Sequence, residues 1–78
     1  MAQIMNAIDI RLSHDECLVL LDALTKLDDS PQRSVFDEPE WVALWRLAGA
    51  LEKQLSEPFL PDYLELVKAA RSRLVATD

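Results

Sequence analysis

Two side chains near the start of the chain are of types that do chemistry. His14 and Cys17 stand three positions apart, so on a helix they share a face, and they lie close to an N-terminus whose dipole favours a thiolate. Such a pair would make a thiol nucleophile with its base. The same Cys17 falls on the apolar stripe of its helix, where a buried thiol behaves as a small hydrophobe. A thiol enzyme using Cys17 with His14 is therefore kept only as an alternative, and the chain is expected to be non-catalytic. One His and one Cys, even joined by Asp15 or Glu16, do not furnish the three or four ligands that zinc prefers. No metal and no other cofactor is expected.

A second chemical cluster is FDEPEW, residues 36–41, where Asp37, Glu38 and Glu40 surround a proline between two aromatics. As a helix start it needs no catalysis. Asp37 is the N-cap, Glu40 reaches back to it, Pro39 sits in the first turn, and Phe36 with Trp41 forms the hydrophobic staple. LSHDEC repeats the device, with Ser13 as cap, Glu16 as its partner and Leu12 with Cys17 as staple. PDYLEL offers Asp62, Glu65 and Leu66 at the same spacing. Three starts predict three helices, over 14–28, 38–57 and 62–76.

The apolar periodicity says how these helices face. Cys17, Leu20, Leu21, Leu24 and Leu27 make the core stripe of the first, which leaves Leu18 and Val19 on the wet side as candidate contacts with a second copy. The second carries Trp41, Leu44, Ala48, Leu51 and Leu55, widened by Leu47 and by Trp45, a half-covered indole of the kind that anchors interfaces. Its Gly49 costs helix stability and could admit another backbone. Pro58 stops this helix, and the short EPFLP link predicts that the second and third helices are antiparallel neighbours, with Phe59 plugging the bundle's end. The polar DDSPQRSV stretch reads as a loop. The third helix turns Tyr63, Leu66, Val67, Ala70 and Leu74 inward. Its Lys68, Arg71 and Arg73 suit the C-terminal dipole and, with Arg46 and Lys53, form the basic face that a nucleic-acid-associated regulator would use.

Ahead of the first cap, AIDIRLS alternates Ile8, Ile10 and Leu12 with Asp9 and Arg11, the period of a strand. A rival helical reading links Met1, Met5, Ile8 and Leu12, but the Ser13 cap demands extended backbone at that point. A strand needs a mate, and SVF at 34–36 is barely long enough to be one. Residues 1–12 are thus expected to form a strand or extended arm that pairs with, or is exchanged against, a second copy.

Charge completes the reading. The net charge of −6 lies in residues 1–40, which hold nine acids against Arg11, Lys26 and Arg33. Phosphate backbones and anionic lipid repel such a surface, which makes nucleic acid an unfavoured partner and a basic protein a favoured one, met by Asp15, Glu16, Asp28, Asp29, Asp37 and Glu38. The chain starts without a basic-then-apolar leader and has no apolar run near the ~18 residues of a membrane span. Its single cysteine suits a reducing compartment. The expectation is one small helical domain over 1–78: a three-helix bundle with an N-terminal arm, cytoplasmic, homodimeric, and acting as a protein–protein interaction or regulatory module.

Overall fold

Ser13 opens the folded part of the chain. Its hydroxyl accepts from the Glu16 N–H at 3.1 Å, and Glu16 Oε1 accepts from the Ser13 N–H at 2.7 Å, so the capping box closes in both directions. The computed structural model describes residues 7–76. Helix α1 spans His14–Asp28, a 3-10 turn covers Pro31–Val35, α2 spans Glu38–Gln54, a second 3-10 turn covers Glu57–Phe59, and α3 spans Tyr63–Ala76. The mainly helical, three-helix expectation holds.

The start of α2 is built as its residues imply. The Asp37 N–H donates to Glu40 Oε1 at 2.8 Å, and Phe36 meets Trp41 edge-on with ring centroids 5.6 Å apart. Trp41 is buried, its indole N–H donates to the Arg33 carbonyl at 2.9 Å, and the Arg33 guanidinium lies 4.8 Å from its ring centre. This fastening shapes the preceding segment into a 3-10 turn, with the Phe36 N–H on Arg33 O and the Arg33 N–H on Ser30 O. Residues 34–36 are consequently no strand and offer the arm no mate. The α2 helix ends at Gln54, three residues earlier than expected, because the ring of Pro58 would strike the carbonyl four positions back. At Asp62 the third capping box does not close among the described residues; a backbone bond from the Leu66 N–H to Asp62 O holds the turn. Phe59 plugs nothing. It is 79 % exposed, carried outward by the second 3-10 turn.

Helix α1 is the central element, packed along α3 and against α2, whereas α2 and α3 hardly touch. The second and third helices, expected as close neighbours, therefore meet mainly through α1. Leu18 and Leu21 of α1 form the core with Leu51 and Leu55 from the end of α2 and with Val67 and Ala70 of α3. Leu18 is only 2 % exposed, not on a wet face, and Val19 is half-buried against the same cluster. The reason is that two helices cover α1. The leucine stripe turns toward α2, and the face that reads as polar is covered by α3 through ion pairs: Arg71 Nη2 donates to Asp22 Oδ2 at 2.6 Å, and Arg73 holds both oxygens of Asp15 at 2.8 Å.

A Cβ added at Gly49 would meet nothing within 4 Å. Gly49→Ala is expected to raise the unfolding free energy by about 0.5–1 kcal/mol, read as a higher urea midpoint with an unchanged slope.

Before Ser13 the described arm, residues 7–12, has no regular secondary structure, and no strand occurs among the described residues. The Ser13 backbone is extended, at φ −69° and ψ 164°. Met1 and Met5 of the rival helical reading lie outside the described residues.

Candidate interaction surface

The arm runs beside a groove of about 870 Å³ whose floor and far wall come from α1 and α2. Ile8, Ile10 and Leu12 line one side, Cys17 and Leu20 come from α1, and Leu47, Ala50, Leu51 and Gln54 come from α2, with Leu55 from the end of that helix. Arg11 and His14 also border it. All three apolar residues of the period-two pattern thus line one cavity, and of the two polar residues between them Asp9 stays off it while Arg11 borders it. Their burial is far from complete: Ile8 is 84 % and Ile10 76 % exposed. Among the described residues no backbone group of residues 7–12 is hydrogen-bonded.

The six expected contact residues divide. Ile8, Ile10 and Leu12 share the groove. Leu18 belongs to the core and is removed from any surface, while Val19 is half-buried and packs against that core. Trp45 is 52 % exposed and sits over a separate cleft of about 120 Å³ between α1 and α2, with Leu21, Leu24, Leu44 and Ala48 around it and the Trp41 ring 5.7 Å away. Sequence reasoning missed Leu47, Ala50 and Gln54 as groove residues. Leu47, at the edge of the α2 seam, was the one available signal.

The acidic residues are more committed than their exposure suggests. Asp15 is held by Arg73, Asp28 by Arg33 at 3.0 Å, Glu16 bonds the Ser13 backbone, and Asp37 is the α2 cap. Asp29 and Glu38 make no side-chain pair among the described residues. On α3, Arg71 and Arg73 are engaged by Asp22 and Asp15, leaving Lys68, Arg46 and Lys53 as the exposed bases of the face that a nucleic acid would need.

Among the described residues Asp22 is the one buried charged residue. Burial pushes its carboxyl up, but hydrogen bonds from Arg71 and Lys26 outweigh this and leave it below the ordinary value; Asp15 is lowered by its Arg73 bond. Tyr63 is raised, first by burial and then by the nearby Asp22 charge. At the groove's rim the His14 ring is hydrogen-bonded to Glu57, which lowers the Glu57 carboxyl, while its other oxygen is buried without a partner among the described residues. Cys17 is half-buried and packs on the core cluster. Each half of the candidate thiol pair therefore has a structural contact of its own. Among the described residues no three His, Cys, Asp or Glu side chains are grouped to hold a metal ion, and no helix is long and apolar enough to cross a membrane. Compared with protein-family models, with curated proteins and with solved structures, the chain finds no match.

Proposed function

We propose that the chain is a small non-catalytic protein–protein interaction or regulatory module that works as a homodimer through its N-terminal arm and the adjoining groove. The observation that carries this is the groove itself, an apolar surface whose own wall, Ile8 and Ile10, is left largely in water. Exposing such a contiguous patch is unfavourable for a lone chain, and covering it is the favourable change that association provides. The acidic first half supports a further, basic protein partner, now drawn to Asp29 and Glu38 rather than to the paired Asp15 and Asp28. The lone free thiol of Cys17 is in keeping with a reducing cytoplasm.

Light scattering on the full chain and on the same chain carrying Ile8→Ser with Ile10→Ser tests the reading. The full chain is expected at twice the monomer mass and the variant at the monomer mass, with far-ultraviolet circular dichroism unchanged because both positions lie outside the helices. A parent chain that scatters as a monomer, or a variant that remains a dimer, overturns it.

A further inference from the structure

We propose that the two arms pair antiparallel with Ile10 opposite the partner's Ile10 on the two-fold axis, an inference that rests on the dimer reading above and fixes its register. In a two-fold antiparallel ribbon the numbers of facing residues have a constant sum. Centred on Ile10, the pairing sets Ile8 against the partner's Leu12 on the groove side. On the ribbon's other face it sets Asp9 against the partner's Arg11, twice over, so both acids meet both bases, and Arg11, which borders the groove in the unpaired arm, turns to that face on pairing.

Neighbouring registers lack this match. Centred on Asp9, the ribbon brings two carboxylates face to face; centred on Arg11, it brings two guanidiniums together. A shift by one residue places Ile8 against Arg11 and Asp9 against Ile10, mixing polar with apolar on each face. The arm is available for such pairing, since residues 7–12 carry no backbone hydrogen bond among the described residues and both Asp9 and Arg11 are exposed. No described segment of the chain competes for it, because residues 34–36 are drawn into the 3-10 turn and its Phe36 cap. The occupant is accordingly a second copy: the arm is complementary to itself in reversed direction, in both hydropathy and charge.

Charge reversal tests the register on the full chain. Asp9→Arg alone and Arg11→Asp alone each turn two attractions into two repulsions, and each is expected to raise the dimer dissociation constant about a hundredfold, as judged from cross-strand pair energies. Mixing the two variants sets two bases against two acids, and native mass spectrometry is expected to show a mixed dimer dominating either homodimer. Both substitutions in one chain should restore self-association. If the parent chain is dimeric but the single variants dimerise as well as it does, or the mixture shows no preference, the register is wrong while the dimer reading stands. A parent chain that is monomeric throughout overturns both.

Discussion

Leu18→Ala is expected to lower the unfolding free energy by about 3 kcal/mol, seen as a large fall in the urea midpoint with an unchanged slope. Among the described residues Leu18 is the largest fully buried side chain, enclosed by residues of all three helices, and truncating it removes methyl contacts while leaving a void that the crossing of α1 with α2 and α3 cannot easily close. For a chain of this length the whole stability is about 4–12 kcal/mol, so the loss is a large share of it. Were Leu18 instead a surface contact between copies, the variant would keep its midpoint at low protein concentration and change only its mass. Stability, rather than association, is thus the quantity that should move first.

Asp22→Ala is expected to cost about 2 kcal/mol at neutral pH, because it leaves Arg71 without its partner beside the α1–α3 seam. Arg71 keeps part of its surface in water, which holds the loss below that of a fully buried pair. The effect is pH-dependent and the sign is determined by the carboxyl. Asp22 in the folded chain lies below its ordinary value of 3.8, so the unfolded state binds its proton more readily. Its contribution is fully present above the ordinary value and disappears as pH falls through it toward the folded one. Asp15 and Glu57 are lowered too and add to the same acid limb, each weakened by the water that still reaches it. Urea titrations from pH 7 down to pH 2 should therefore show the parent losing stability below about pH 4 and the variant losing visibly less. A variant as stable as the parent at pH 7, or one with the same acid slope, contradicts the role given to Asp22.

What could be read from the chain itself was whatever is settled within a few residues. Ser13 with Glu16, Asp37 with Glu40, and the Phe36–Trp41 staple each close over three to five positions, and Pro58 limits α2 through its own ring. The interior packing was not legible for the opposite reason. The Asp22–Arg71 and Asp15–Arg73 pairs join residues 49 and 58 positions apart, and nothing local distinguishes an acid facing water from one facing a distant arginine. A helical projection of α1 shows a single apolar stripe, so it assigned one covered face to a helix that has two. The same limit touched the surface: alternation gave Ile8, Ile10 and Leu12 a common side, but that Leu47 and Ala50 lie across from them depends on how α2 crosses α1. Phe59 failed through its link, since a hydrophobe in a tight turn follows the turn's direction and not its own preference.

Because α2 and α3 each pack chiefly on α1, the order in which the chain leaves the ribosome acquires weight. Helix α1 emerges first and α3 last among the three, and the contacts that bury Leu18 and Asp22 await that last arrival, across an intervening stretch whose closure carries an entropic cost. Until the residues near 76 have been made, the nascent polypeptide holds its leucines and its unmatched carboxylates side by side, with nothing yet synthesised that can cover both.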